Sequence, residues 1–186
     1  IVYLTPYLWF SLKQQMDNDL KLWSSYTLVS LFILGIKYLN LRYYQIDAIK
    51  AIQSKIRNGG DRFLLEMATG TGKTTTSAAI IKMFLRLYKV NRVLFLVDRL
   101  ELETQAKKEI NDILQNDFET AIWKENKDDW RRANIVISTV QSFTKNNKYK
   151  RIFKPNSFDL VISDEAHRSL GQRSRNVFEY FIGFKL

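Results

Sequence analysis

Two short segments carry residue types whose spacing could do chemistry. The first reads Glu66-Met67-Ala68-Thr69-Gly70-Thr71-Gly72-Lys73-Thr74 and lies between the short apolar run Phe63-Leu64-Leu65, read as a strand, and an amphipathic helix. Gly70 and Gly72 let the backbone bend so that successive N–H groups point into one concavity, which suits phosphate oxygens. A following helix adds the unsatisfied amides and positive end of its first turn. Lys73 reaches β- and γ-phosphates as a point charge, and the Thr74 hydroxyl is a ligand for Mg²⁺. The strict phosphate-loop spelling needs glycine at position 67, where this chain has Met67.

The second segment is Asp164-Glu165-Ala166-His167, at the end of the apolar run Leu160-Val161-Ile162. An acidic pair at the carboxyl end of a buried strand sits where open α/β sheets bind ligands. Asp164 is suited to Mg²⁺ and Glu165 to orienting and deprotonating a water that attacks a γ-phosphate. The plainer reading makes Asp164 a helix N-cap; pairing with a phosphate loop favours the catalytic one. A lone histidine after such a pair more often packs or hydrogen-bonds than catalyses, so His167 is expected to couple the site to a neighbouring domain.

These segments need a scaffold, and the pattern supplies one. Ile46, Ile49, Ile52 and Ile56 share a helical face that Asn58-Gly59-Gly60 terminates. A second helix carries Ile80, Ile81, Phe84, Leu85 and Tyr88. A third starts near Leu100, with Leu102, Ala106, Ile110, Ile113 and Leu114 inward. The run Val93-Leu94-Phe95-Leu96-Val97 reads as a strand buried on both faces, and residues 118–123, 135–137 and 160–162 as further strands. Short apolar strands alternating with amphipathic helices predict an α/β fold, a parallel sheet with helices on both faces.

Composition narrows the classes. The chain has 186 residues, 46% of them apolar and 13% aromatic, which is enough for one domain with a core. It has no cysteine and one histidine, which excludes disulfides and thiolate metal sites and disfavours a His-ligated zinc. The formal charge of +10 favours a polyanionic partner, nucleic acid before membrane. Residues 1–40 hold eight aromatic and five charged residues without a clear period and are read as an aromatic-rich appendage or linker. The uncharged run 22–36 is short of the roughly 20 residues of a spanning helix, so no membrane segment is expected. The chain begins at Ile1 without a signal-peptide pattern, which reads as an internal or processed fragment and a cytoplasmic protein.

Together the two motifs resemble those of superfamily 2 helicases and translocases, in which position 67 tolerates other residues. The spellings 67–74 and Asp164-Glu165-Ala166-His167-Arg168-Ser169 resemble the motor part of type I restriction enzyme R subunits. Leu41-Arg42-Tyr43-Tyr44-Gln45 is similar to that family's adenine-reading segment, in which Arg42 and Gln45 would recognise the base and a tyrosine would stack on it. Leu96-Val97-Asp98-Arg99 and Ser138-Thr139-Val140-Gln141-Ser142-Phe143 resemble two motifs on the family's nucleic-acid face, implicating Arg99, Thr139 and Gln141.

The resemblance implies a P-loop NTPase of RecA-like fold over residues 41–186, truncated after the acidic box, using ATP and Mg²⁺. Thr69, Gly70, Thr71, Gly72, Lys73 and Thr74 would bind nucleotide, Thr74 and Asp164 the metal, with Lys73, Asp164 and Glu165 catalytic. The implied partners are double-stranded DNA, a second RecA-like domain that the 186 residues do not contain, and modification and specificity subunits. That second domain supplies an arginine finger in the family, so this stretch alone is expected to hydrolyse almost no ATP. Two rivals stay open: another superfamily 2 helicase acting on RNA or branched DNA, and an inactive nucleotide- or DNA-binding module. Basic runs at Lys145, Lys148, Lys150, Arg151 and Lys154, and at Arg168, Arg173 and Arg175, suit either phosphate-backbone contact or a solvated face.

Overall fold

The computed structural model describes residues 41–114, 117–123, 125, 129–164 and 172–186. The aromatic-rich segment 1–40, together with Glu165, His167 and Arg168 of the acidic box, lies outside the described residues.

Five parallel strands form one sheet in the order β2-β3-β1-β4-β5. They are β1 (Val93–Val97), β2 (Thr120–Ile122), β3 (Ile135–Thr139), β4 (Leu160–Ser163) and β5 (Phe184–Lys185). Every residue of β1, β3 and β4 is buried, as continuous apolar runs require when both sheet faces are covered. Alternate side chains divide between the faces. Leu94, Leu96, Val136 and Val161 pack with Phe143, Tyr149, Phe153, Phe158, Val177 and Phe181 in one aromatic-rich core.

Helix α1 (Tyr43–Arg57) ends as its sequence predicts. Gly59 adopts φ 81°, and the amides of Gly59 and Gly60 close on the carbonyls of Ile56 and Lys55 at 2.9 Å. The buried face of α1 is Gln45, Ile49, Ile52 and Gln53, with Ile46 and Ile56 only partly covered. Helix α2 (Lys73–Leu87) is buried from Ala78 through Phe84. Helix α3 (Leu100–Leu114) buries Glu103, Ala106, Ile110 and Leu114. Lys82 of α2 donates through Nζ to the Ile113 carbonyl of α3 at 3.2 Å, and burial lowers its pKa. Among the described residues, shorter α-helices follow at α4 (Asp129–Arg132), α5 (Val140–Thr144), α6 (Lys148–Ile152) and α7 (Gln172–Tyr180), with a 3-10 turn at Lys145–Asn147.

The amino edge of the sheet is fixed by Asp159. Its Oδ2 accepts the main-chain N–H groups of Asn91 and Arg92 at 2.8 and 3.1 Å, tying the start of β1 to the start of β4. The Arg92 guanidinium then lies over the rings of Phe153 and Phe158, 5.5 and 5.1 Å from their centroids.

One expected strand is not formed. The run 63–65 makes only a single parallel bridge, Arg62 to Lys185, with the Phe63 N–H donating to the Lys185 carbonyl at 2.8 Å. Leu64 is 84% exposed. Among the described residues, 64 and 65 form no ladder beyond that bridge, and a strand without a ladder is not held. The strand read over 118–123 is likewise shorter, Thr120–Ile122. Among the described residues no helix is long and apolar enough to cross a membrane.

Candidate nucleotide and nucleic-acid site

Register places the chemistry-bearing residues at one edge. Leu96 pairs with Ser163 and Val97 with Thr139, and the Asp164 N–H donates to the Leu96 carbonyl at 2.9 Å. Asp98, Arg99, Thr139 and Asp164 therefore all emerge where β1, β3 and β4 end. Arg62 is in register with Lys185 and Lys185 with Val161, so the chain leaving residue 63 runs towards that same carboxyl edge. This is the edge at which parallel sheets bind ligands.

The candidate phosphate loop is built as its glycines require. Gly70 and Gly72 have φ of 78° and 81°, a region L side chains avoid. Gly72 is also tightly enclosed: a β-carbon there would sit 2.7 Å from Gln45 Nε2. Between them the Thr71 hydroxyl donates to the Ala68 carbonyl at 2.6 Å, closing the turn. Gly72 is the N-cap of α2, so Lys73 and Thr74 open the helix. Its carbonyl accepts the Thr76 N–H and the Thr76 hydroxyl, both at 2.9 Å.

The start of α1 holds this loop. Gln45 is 4% exposed, and its Nε2 donates to the carbonyls of Thr71 and Gly72, both at 3.2 Å. Its Oε1 accepts the Arg42 N–H at 2.8 Å. The Tyr44 hydroxyl donates to the same Thr71 carbonyl at 3.0 Å and accepts from Arg42 Nη1 at 3.2 Å. Tyr43 is 78% exposed, its ring edge-on to that of Tyr44 at 5.5 Å, whereas the Tyr44 hydroxyl is committed to the loop. Sequence reasoning assigned Gln45 to adenine; in this structure both of its amide protons serve the phosphate loop. Gln45→Ala is therefore expected to weaken ATP and inorganic tripolyphosphate about tenfold alike, from loss of two or three hydrogen bonds. Competition titration checks it: unchanged tripolyphosphate affinity would mean that Gln45 serves the base alone.

The residues expected to face nucleic acid separate. Gln141 is exposed on α5, and Arg99 is exposed beside Asp98, 3.8 Å away. Thr139 differs from expectation. It is 3% exposed, and its Oγ1 accepts the Ser142 N–H at 3.1 Å as the N-cap of α5. Its side chain supports the surface rather than forming it. Lys145, Lys148, Lys150, Arg151 and Lys154 of the basic run are all exposed, and Lys150 also lies over the rings of Tyr149 and Tyr180, 5.8 and 5.7 Å from their centroids. Arg175 pairs with Glu179 within α7 at 2.8 Å.

Sequence reasoning missed Glu103. It is buried, and its Oε1 accepts the Thr139 N–H at 2.6 Å. The signal was present: Glu103 occupies the inward stripe of α3 with Ala106, Ile110 and Leu114, where an apolar residue is the rule.

Residues 38–186 match the family model described as "Type III restriction enzyme, res subunit". The chain belongs to that family. Within it, this res-family chain is 36% identical over 140 residues to the type I restriction enzyme EcoKI endonuclease subunit of Escherichia coli K12, covering 72% of this chain and 12% of that protein. To the EcoAI endonuclease subunit of Escherichia coli it is 35% identical over 176 residues, covering 86% of this chain and 21% of that protein. The chain thus spans between about an eighth and a fifth of the length of these two curated relatives. Among solved structures, a nuclease-deletion mutant of the type ISP restriction-modification enzyme LlaGI, in complex with a DNA substrate mimic, is similar. Its TM-score is 0.60 at 25% identity, over 79% of this chain and 17% of that one. The res-family fold here is RecA-like, and the resemblance to type I endonuclease subunits read from motif spelling is borne out.

Proposed function

We propose that residues 41–186 are the first, ATP-binding RecA-like half of an ATP-dependent translocase on double-stranded DNA, the motor of a type I restriction endonuclease subunit. The observation that carries the reading is the two-glycine loop entering α2 at the same carboxyl edge as the strand end that bears Asp164. ATP bound with Mg²⁺ would supply the reacting γ-phosphoryl group and a divalent charge to stabilise it.

The donor set suits that cofactor. One carboxylate and one hydroxyl, Asp164 and Thr74, leave most positions of an octahedral Mg²⁺ to phosphate oxygens and water, as this ion prefers. Among the described residues no cluster of three or more acidic, histidine or cysteine ligands exists to make an all-protein cage. Lys73 then neutralises the terminal phosphates, Tyr43 and Arg42 flank the base, and Glu165 holds and deprotonates the attacking water. Coupling through His167 to a second RecA-like domain would convert nucleotide turnover into movement along the duplex. Without an arginine finger from that domain, turnover is lower by about 10³ to 10⁵. Modification and specificity subunits would choose the DNA, since Arg99, Gln141 and the lysines meet backbone rather than base edges.

Titration of a labelled duplex into the chain tests the reading. With two to four phosphate contacts, affinity should fall roughly 10- to 150-fold between about 50 and 200 mM salt and be indifferent to sequence. A folded chain with no saturable duplex binding would overturn it.

A further inference from the structure

We infer that Glu103 is a positioning residue for the nucleic-acid edge. Its buried carboxylate clamps the turn from β3 into α5, and with it Gln141, onto helix α3. The inference deepens the translocase reading and rests on it.

The geometry forms a relay from one DNA-facing segment to the other. Arg99 immediately precedes α3, and its carbonyl accepts the Leu102 N–H at 3.1 Å, so its backbone moves with that helix. One turn on, Glu103 reaches across the sheet edge to the Thr139 N–H at 2.6 Å, short as a charge-assisted bond should be. Thr139 is the last residue of β3, paired with Val97. It has left the strand by its side chain, whose Oγ1 takes the Ser142 N–H and so starts α5. Helix α5 has only five residues, too few to hold its own position. Its far end is anchored by Phe143 in the aromatic core, and its near end by the Glu103 clamp. Gln141 projects from the turn between these two anchors.

A carboxylate is an unusual choice for an inward helix position, because burying its charge is costly unless it is hydrogen-bonded. An apolar residue at 103 would fill the same space but leave the Thr139 amide, at the end of its ladder, without this acceptor. The carboxylate is explained by what it holds, and what it holds carries Gln141.

The test uses the whole chain and three readouts: duplex affinity, Mg-ATP affinity, and amide exchange at Thr139 and Ser142. Glu103→Ala should weaken duplex binding about tenfold, the equivalent of one lost or misplaced charged contact, with Mg-ATP affinity within about twofold. Exchange at Thr139 and Ser142 should accelerate. Glu103→Gln, which keeps shape and an acceptor, should stay within about threefold of the parent on every readout. An unchanged duplex affinity in Glu103→Ala, or a parallel fall of both affinities in step with stability, would overturn the proposal. If the alanine variant does not fold, Glu103→Asp, one methylene short of Thr139, is set against Glu103→Gln with the same criteria. A parent chain that binds no duplex sinks the translocase reading. The exchange data still decide the clamp, which fails if the Thr139 amide is equally protected without Glu103.

Discussion

Lys73→Ala is expected to lower Mg-ATP affinity by about 10- to 10²-fold while the fold stays intact. Lys73 opens α2 directly after Gly72, so it stands at the positive end of a helix and at the end of the loop that would seat the phosphates. Truncating a hydrogen bond to a charged group costs about 1.5–3 kcal/mol, and tenfold in affinity is about 1.4 kcal/mol. In the complete motor the same loss should fall on the transition state as well, at about 10² to 10³ in rate, since charge builds on the transferred group. Lys73→Arg should rescue little, because a planar guanidinium on a longer stem does not replace a compact point charge. Stability should change by less than about 1 kcal/mol, as Lys73 is half-buried at a helix start and outside the core. Calorimetric titration of both variants checks this. Equal binding by Lys73→Ala and the parent would remove Lys73 from the phosphate site.

Phe143→Ala is expected to destabilise the domain by about 3–5 kcal/mol and lower Tm by roughly 6–20 °C. Phe143 is fully buried. Its ring meets Trp123 at 5.5 Å, Tyr149 at 5.5 Å, Phe153 at 5.7 Å, Phe181 at 6.3 Å and Phe158 at 6.4 Å between centroids. Aromatic pairs in such geometries contribute about 0.5–1.5 kcal/mol beyond burial, and alanine would leave a cavity that five large rings cannot collapse into. Phe143 lies in the segment identified from sequence as nucleic-acid-facing, so the loss should also free α5 and weaken duplex binding. Urea denaturation of the variant measures the first effect. A loss below about 1 kcal/mol would show that the cluster repacks and that Phe143 is not its hub.

Most of the scaffold was legible from local pattern. Continuous apolar runs announced β1, β3 and β4 because a parallel strand buried on both faces has no polar side to show. Asn58-Gly59-Gly60 announced the end of α1 because a left-handed residue is needed there and glycine adopts it freely. The strand over 63–65 was misread for the opposite reason. A strand exists only with a partner ladder, and beyond the Arg62–Lys185 bridge residues 63–65 make none, something no property of Phe63, Leu64 or Leu65 encodes.

The candidate site divides the same way. The residue types and order of 66–74 and of Asp164 fix what chemistry is available, since a glycine's freedom, a lysine's charge and a carboxylate's affinity for Mg²⁺ are intrinsic. The sequence by itself therefore determined an α/β fold and the family. Which polar groups are left for a ligand was decided only by the tertiary structure. Tyr43 and Tyr44 are adjacent and chemically identical, yet one is exposed and the other hydrogen-bonds Thr71. Gln45 is spent on the phosphate loop, Thr139 on capping α5, and Glu103 on the Thr139 amide. The physical reason is that a hydrogen bond is settled by the partner that folding brings within about 3 Å, and these partners lie on other elements of the chain.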